Sequence, residues 1–239
     1  MELSTETISV LKNYAAINAN FVFKNEEYIS TIAEAKNILS RYKMEEMPHA
    51  FMEREVGIYD LPEFLNAISL VDTPSFKFED DYVNIGDSSG RSNIKYFYSS
   101  IELLTHPSES MLKKASDLSN YVVSFTLDAD TLSKLRKASS ALGHTDLIVT
   151  KNGESIQLTI ADAENSTGNT YSLDVAGETD HDDFKLVFNI QNLKMMHGDY
   201  QVKISDKYLA YFNGAAIEYW IALEKNKTTD LSTFNIEEK

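Results

Sequence analysis

Residues 128–161, DADTLSKLRKASSALGHTDLIVTKNGESIQLTIA, decide the fold. Leu132, Leu135 and Leu142 recur at helical spacing and give one apolar face. Asp128 or Asp130 is suited to begin the helix and Gly143 to end it. Residues 147–151 and 156–161 then follow as strands rich in Leu, Ile, Val and Thr, with Asn152-Gly153 between them, the dipeptide that tight hairpins favour. The unit is therefore one amphipathic helix followed by two strands.

Working outward, the same unit recurs three more times, in spacing rather than in sequence. Residues 4–18 read as a helix capped by Ser4, with Ile8, Leu11 and Ala15 on one face, followed by strands 21–24 and 28–32 around Asn25-Glu26-Glu27. Residues 61–70 read as a helix with Asp60 as cap and Pro62 in its first turn, preceded by a strand at 55–58 and followed by strands 76–78 and 82–85 around an acidic turn. The fourth copy places a helix over 190–197, stopped by Gly198, before strands 200–205 and 209–212. Helix starts are thus separated by roughly 57, 69 and 60 residues.

Further strands are predicted at 37–43, 94–98, 121–126, 171–175, 185–188 and 216–224, so strand outweighs helix and an alternating βαβ layer is excluded. Residues 101–120, Ser-rich with one proline, read as a crossing between two similar halves. The expected class is α+β: an N-terminal domain over 1–105, a connecting segment over 106–120, and a C-terminal domain over 121–239 ending in a short acidic tail. Each domain lays two helices on antiparallel sheet, with sheets outside and helices gathered on one side.

Composition supports a globular chain: of 239 residues, 43% are hydrophobic, 11% aromatic and 25% charged. The absence of cysteine excludes disulfides, thiolate metal sites and a cysteine nucleophile. No apolar run reaches the length of about 18 residues that a spanning helix needs, and MELSTETISV is polar and acidic, so neither a membrane span nor a signal peptide is expected and a cytoplasmic location is. The glycosylation-like strings at Asn165 and Asn226 are then chance matches.

The net charge is -15, from 22 Lys+Arg against 37 Asp+Glu, which argues against nucleic acid unless the bases are gathered on one surface. They are gathered. Beyond each first helical turn, where acids are favoured by the helix dipole, segments 7–16, 64–70, 131–142 and 191–198 hold no acid at all. The same segments hold Lys12, Lys134, Arg136, Lys137 and Lys194. Lys134 and Lys137 project opposite the Leu132/Leu135 stripe, whereas Arg136 sits toward the side of its helix. The second helix offers only Asn66 and Ser69. The plainer reading is solvated lysines on helix surfaces. No aromatic residues interleave with these bases and no recognition-helix motif is present, so sequence-independent contact with duplex phosphate is what the pattern allows.

The stretches LSTETISVLKNYAAIN (3–18), IYDLPEFLNAISLV (58–71) and FNIQNLKMMHGDYQVKI (188–204), in this order and spacing, resemble the sliding clamps of T-even-like phages. EYWIALEK (218–225) resembles the final strand that clamps use beside their partner pocket. The resemblance implies a homotrimeric ring of two-domain subunits, helices lining a hole through which duplex DNA slides, loading by a separate ATP-driven clamp loader, and a DNA polymerase tethered by a short C-terminal peptide held in an outer pocket. It also implies a part in late transcription, residence in the cytoplasm of the infected bacterium, no cofactor and no catalysis. Lys12, Lys134, Arg136, Lys137 and Lys194 are the DNA-facing candidates. Alternation in the final strand puts Ile217, Tyr219, Ile221 and Leu223 on one face and Glu218, Trp220, Ala222 and Glu224 on the other. A half-exposed Trp220, with Tyr219 and Ala222 beside it, is the candidate peptide anchor, against the alternative of a Trp merely covered by the connecting segment.

Other classes were weighed. Asp180, His181, Asp182 and Asp183 suggest a metal or hydrolytic site, yet lack a second histidine at ligand spacing and read as a solvated turn. Gly86-Asp87-Ser88-Ser89-Gly90 has the composition of a serine-nucleophile loop without a helix behind it, and reads as a hairpin turn. His49, His106, His144 and His197 fall in loops or at helix ends. A phage structural or assembly protein, oligomeric through sheet edges, is the alternative function. Subunit contact is expected at edge strands near 94–98 and 171–175.

Overall fold

The computed structural model describes residues 3–24, 26–44, 55–87 and 90–234. Asn25, His49, Ser88, Ser89 and the acidic tail after residue 234 lie outside the described residues. The chain divides into two compact units, Met1–Glu109 and Ser110–Lys239, and each is α+β.

In the first unit, α1 (Thr5–Ile17) starts where Ser4 Oγ accepts a hydrogen bond from the Thr7 amide at 3.0 Å. Its buried stripe is Thr7, Val10, Leu11, Tyr14 and Ile17, not the expected Ile8, Leu11 and Ala15, which leaves Ile8 and Ala15 only half-buried. The helix is rolled toward Tyr14, whose large ring is fully buried and whose hydroxyl donates to the Ile29 carbonyl at 3.2 Å. Asp60 caps α2 (Leu61–Ser69) through the Glu63 amide, and Leu61, Phe64, Leu65 and Ile68 face inward. The two helices pack on each other.

Strand β1 (Phe21–Phe23) pairs with β4 (Val56–Ile58), and β2 (Tyr28–Ile32) with β3 (Ile38–Lys43). β5 (Ser75–Phe78), β6 (Tyr82–Gly86) and β7 (Asn93–Phe97) form a meander with β7 at its edge. An aromatic chain runs Phe21, Phe23, Phe64, Tyr96 with edge-on contacts. Tyr96 donates to the Asp60 carbonyl at 3.0 Å, and burial pushes its hydroxyl up to about 12. The edge strand is thereby fixed to the start of α2.

Residues 101–120, read from sequence as an irregular crossing, contain a 3-10 turn (Ile101–Leu103) and a helix, α3 (Glu109–Ser116). Only Ala115 of that helix is buried, so no apolar period marks it. Its signature is electrostatic instead, Glu109 in the first turn and Lys113 and Lys114 in the last.

The second unit follows with β8 (Tyr121–Leu127), α4 (Ala129–Leu142), β9 (Asp146–Asn152), β10 (Ser155–Ala161), β11 (Tyr171–Val175), β12 (Gly177–Glu178), β13 (Leu186–Asn189), β14 (Tyr200–Ser205), β15 (Leu209–Asn213) and β16 (Ile217–Ala222). One sheet has the order β11-β10-β9-β13, and within this unit a second has the order β12-β8-β14-β15-β16. α4 lies on β10, with Leu132 and Leu135 buried, and ends at Gly143 as expected. Asn152 pairs with Ser155, so the hairpin loop is Gly153-Glu154, one residue later than Asn152-Gly153. Gly153 adopts φ 60, which a first loop position of this kind requires.

The expected fourth helix is a correction. Only Ile190–Asn192 is helical, as a 3-10 turn, and residues 193–197 that follow form no regular element. Burial of Leu193 and Met195 with Lys194 exposed between them is a period of two, whereas the apolar count over 190–197 had been read as 3.6.

Beyond β16, the strap 224–229 lies along β13: the Glu224 amide donates to the Val187 carbonyl, Thr228 Oγ1 accepts from the Val187 amide, and Thr229 Oγ1 accepts from that of Lys185. Lys227 is paired with the buried Asp146 at 2.9 Å. The pairing of β12 with β8 rests on Gly177, where an added Cβ would lie 2.5 Å from the Ser124 carbonyl oxygen and 2.6 Å from Ile156 Cγ1. Gly177→Ala is expected to destabilise the chain by about 1–3 kcal/mol through overpacking, measured as a lower urea midpoint at unchanged m-value.

Candidate nucleic-acid interface

α1, α2 and α4 each bury one apolar face and leave the opposite face to solvent. On α1 that free face carries Thr5, Ser9, Lys12 and Ala16, all exposed. On α4 it carries Lys134, Arg136, Lys137, Ser140 and Ala141, and on α2 Asn66 and Ser69. Lys194 is exposed on the irregular segment after the 3-10 turn. The structure therefore brings Arg136 and Lys137 together with Ser133, Ser140 and His197 around a groove of 570 Å³ on the α4 surface. His197, passed over in the sequence as a helix-end residue, is the added member. Nothing in the sequence pairs residues sixty apart, so only the packing of 193–197 beside α4 reveals it.

Lys134 is not a bare cation. It pairs with Asp130 at 2.6 Å, one turn earlier, and that hydrogen bond raises the lysine above its ordinary value. Both partners are exposed and the pair is screened by water, so a phosphate competes for the lysine at small cost. Arg136 is engaged differently. Its guanidinium donates to the carbonyls of Leu193 and Met195, and loss of solvent there lowers it from its ordinary value.

The candidate peptide anchor is corrected. Trp220 is 2% exposed rather than half-exposed and stacks on its cross-strand neighbour Tyr211 at 5.3 Å. Tyr219 is fully buried on the opposite face, where its hydroxyl accepts from the Met196 amide, and Ala222 is half-buried. Alternation assigned the faces rightly but could not show that both are covered. Where β16 ends, a groove of 550 Å³ opens instead, lined by Asp206, Lys207, Tyr208, Lys225, Asp230 and Leu231. Tyr208 sits there with φ 59, its hydroxyl donating to Asp230 and accepting from the Leu231 amide, and Lys225 lies 5.0 Å from its ring centroid.

The loop 179–183 is built as a turn. Thr179 Oγ1 donates to the Val122 carbonyl, Asp182 pairs with Lys151, and His181 packs on Phe234. Among the described residues no group of three His, Asp or Glu side chains is arranged to hold a metal ion.

Comparison with solved structures gives the class. The fold matches the PCNA of Thermococcus kodakaraensis with TM-score 0.65 at 14% identity, covering 93% of this chain and 98% of that one. It also matches a Helicobacter pylori beta clamp solved with a DNA ligase peptide, with TM-score 0.62 at 13% identity, covering all of this chain and 70% of that one. The fold is that of a DNA clamp. In sequence, the sliding clamp of Vibrio phage KVP40 is 31% identical over 227 residues, 94% of this chain and 99% of its own length. The sliding clamp of Enterobacteria phage T4 is 28% identical over 239 residues, 96% and 100% of the two chains. Residues 124–225 match the family described as gp45 sliding clamp, C terminal. The chain belongs to the phage sliding-clamp family.

The best-defined helix of the interface begins at Asp128, whose carboxylate accepts from the Thr131 amide at 2.6 Å and is held below its ordinary value by that bond. A depressed carboxylate contributes stability above its unfolded value and loses it as pH falls through the folded one. Asp128→Ala should therefore cost about 0.5–2 kcal/mol at neutral pH, and the gap to the parent chain should close in urea melts as the pH drops below the carboxylate range.

Proposed function

We propose that this chain is one subunit of a closed homotrimeric ring that encircles duplex DNA and tethers the replicative DNA polymerase, without catalysing a reaction itself. The observation that carries this reading is the contrast in charge. A chain of net charge -15 presents helix faces free of acid beyond their first turns; exposed Lys12 and Lys137 lie on them, with Lys134 available by exchange from Asp130, and exposed Lys194 lies on the irregular segment beside α4. The net negative charge of the chain disfavours DNA in general, and the acid-free helix faces offer it an attractive surface.

Few contacts suit the task. Each phosphate contact adds about one unit to the salt dependence of binding, and a protein held by topology gains nothing from tight ones that would impede sliding. For assembly, β7 and β11 are, among the described residues, the sheet edges longer than two residues that are exposed or half-exposed along their whole length, with Phe97 64% exposed. Head-to-tail pairing of β7 with the β11 of a neighbour satisfies both edges and generates a ring.

The partner site we assign to the groove after β16, with Tyr208, Lys225 and Leu231 offering an aromatic face, a cation and an apolar wall to a peptide ending in a carboxylate. Buried Trp220 and Tyr219 then support the strand beneath it and Ala222 lies at its margin. Residues 106–120 are the connection between the domains 1–105 and 121–239. A separate ATP-driven loader opens the ring, and the same outer groove serves late-transcription factors in the cytoplasm of the infected cell.

The test uses loaded rings on nicked circular DNA. The parent protein should remain bound at moderate salt and be lost when the circle is linearised. Lys134→Ala combined with Lys137→Ala should shorten retention and reduce processive synthesis while leaving the melting temperature unchanged. Equal retention on circular and linear DNA would contradict the reading.

A further inference from the structure

The segment 193–197 has lost the helix that its counterparts in the other units keep, and its main-chain groups must be satisfied in another way. Four side-chain bonds do so. Arg136 Nη2 donates to the Leu193 carbonyl at 2.5 Å and to the Met195 carbonyl at 3.4 Å. Tyr200 Oη donates to the Met196 carbonyl at 2.9 Å, and the Met196 amide donates to Tyr219 Oη at 3.1 Å. Leu193 and Met195 are buried, so the residue between them is forced outward, and that residue is Lys194. The two carbonyls held by Arg136 flank Lys194 on either side in the chain.

We propose that Arg136 is a positioning residue for Lys194, acting on DNA through that lysine by fixing the irregular segment 193–197, rather than by touching phosphate itself. This rests on the reading of Lys194 as DNA-facing. A guanidinium suits the role because its planar array of N–H donors can serve two carbonyls at once, whereas an ammonium is a point donor on a flexible stem. Desolvation of the guanidinium is consistent with the role, since a group partly withdrawn from water is poorly placed to meet a mobile duplex.

The test is a double-mutant cycle on the full-length protein, read as fluorescence anisotropy of a short labelled duplex across a potassium chloride series. Lys194→Ala should weaken binding severalfold and make the salt slope shallower by about one. Arg136→Met should reproduce both changes, and the double variant should lose nothing further, because removal of the lysine removes the only route by which Arg136 acts. Arg136→Lys, which keeps the charge and the fold but not the planar fork, should behave as Arg136→Met does.

Multiplicative losses with a slope shallower by about two would make Arg136 a phosphate contact and overturn the proposal alone. Parent-like binding by Arg136→Lys would also overturn it, because charge would then be sufficient. A Lys194→Ala variant that binds as the parent does would remove both the proposal and the DNA-facing assignment of that residue.

Discussion

Burial of one apolar stripe per helix orients everything that carries charge. Leu132 and Leu135 of α4 and Val10, Leu11 and Tyr14 of α1 are all but removed from solvent. Each such side chain contributes about 1.5–3 kcal/mol on burial. An exposed ion pair such as Asp130 with Lys134 is screened by water and contributes far less. The comparison decides which effect sets the roll of a helix about its axis: apolar burial does, and the lysines point wherever the leucines do not. The outward direction of the helix lysines is thus a consequence of core packing.

The same reasoning explains what could be read from the chain. Strands such as β10 and β14 were legible because buried and exposed residues alternate along them over five or more positions. The caps Ser4, Asp60 and Asp128 were legible because a short side chain that accepts from an amide three residues on has few other uses at that place. The roll of α1 was not, since a tyrosine counts as polar in a simple pattern although its ring is buried and its hydroxyl finds a carbonyl. α3 was invisible for the opposite reason, having almost no buried face.

The fourth unit fails most instructively. Its composition fits a helix, yet Leu193 and Met195 share a face only if the backbone is extended, and the bonds that make this affordable come from Arg136, Tyr200 and Tyr219, distant in sequence. Trp220 follows the same rule. Its face of β16 is polar by neighbours, Glu218 and Glu224, but Tyr211 of the adjacent strand closes over it. Local pattern specifies which residues share a face and leaves open what covers that face. The exposure of Lys12, Lys134 and Lys137 therefore follows from the helical period alone, whereas the setting of Trp220 depends on a strand neighbour.

Only a ring gives so few basic contacts on so acidic a chain a use in holding DNA. The most direct test is molar mass in solution by light scattering over a dilution series. A mass near three times the 27.0 kDa chain, falling to one chain on dilution, is the predicted result; a monomer at every concentration would contradict it.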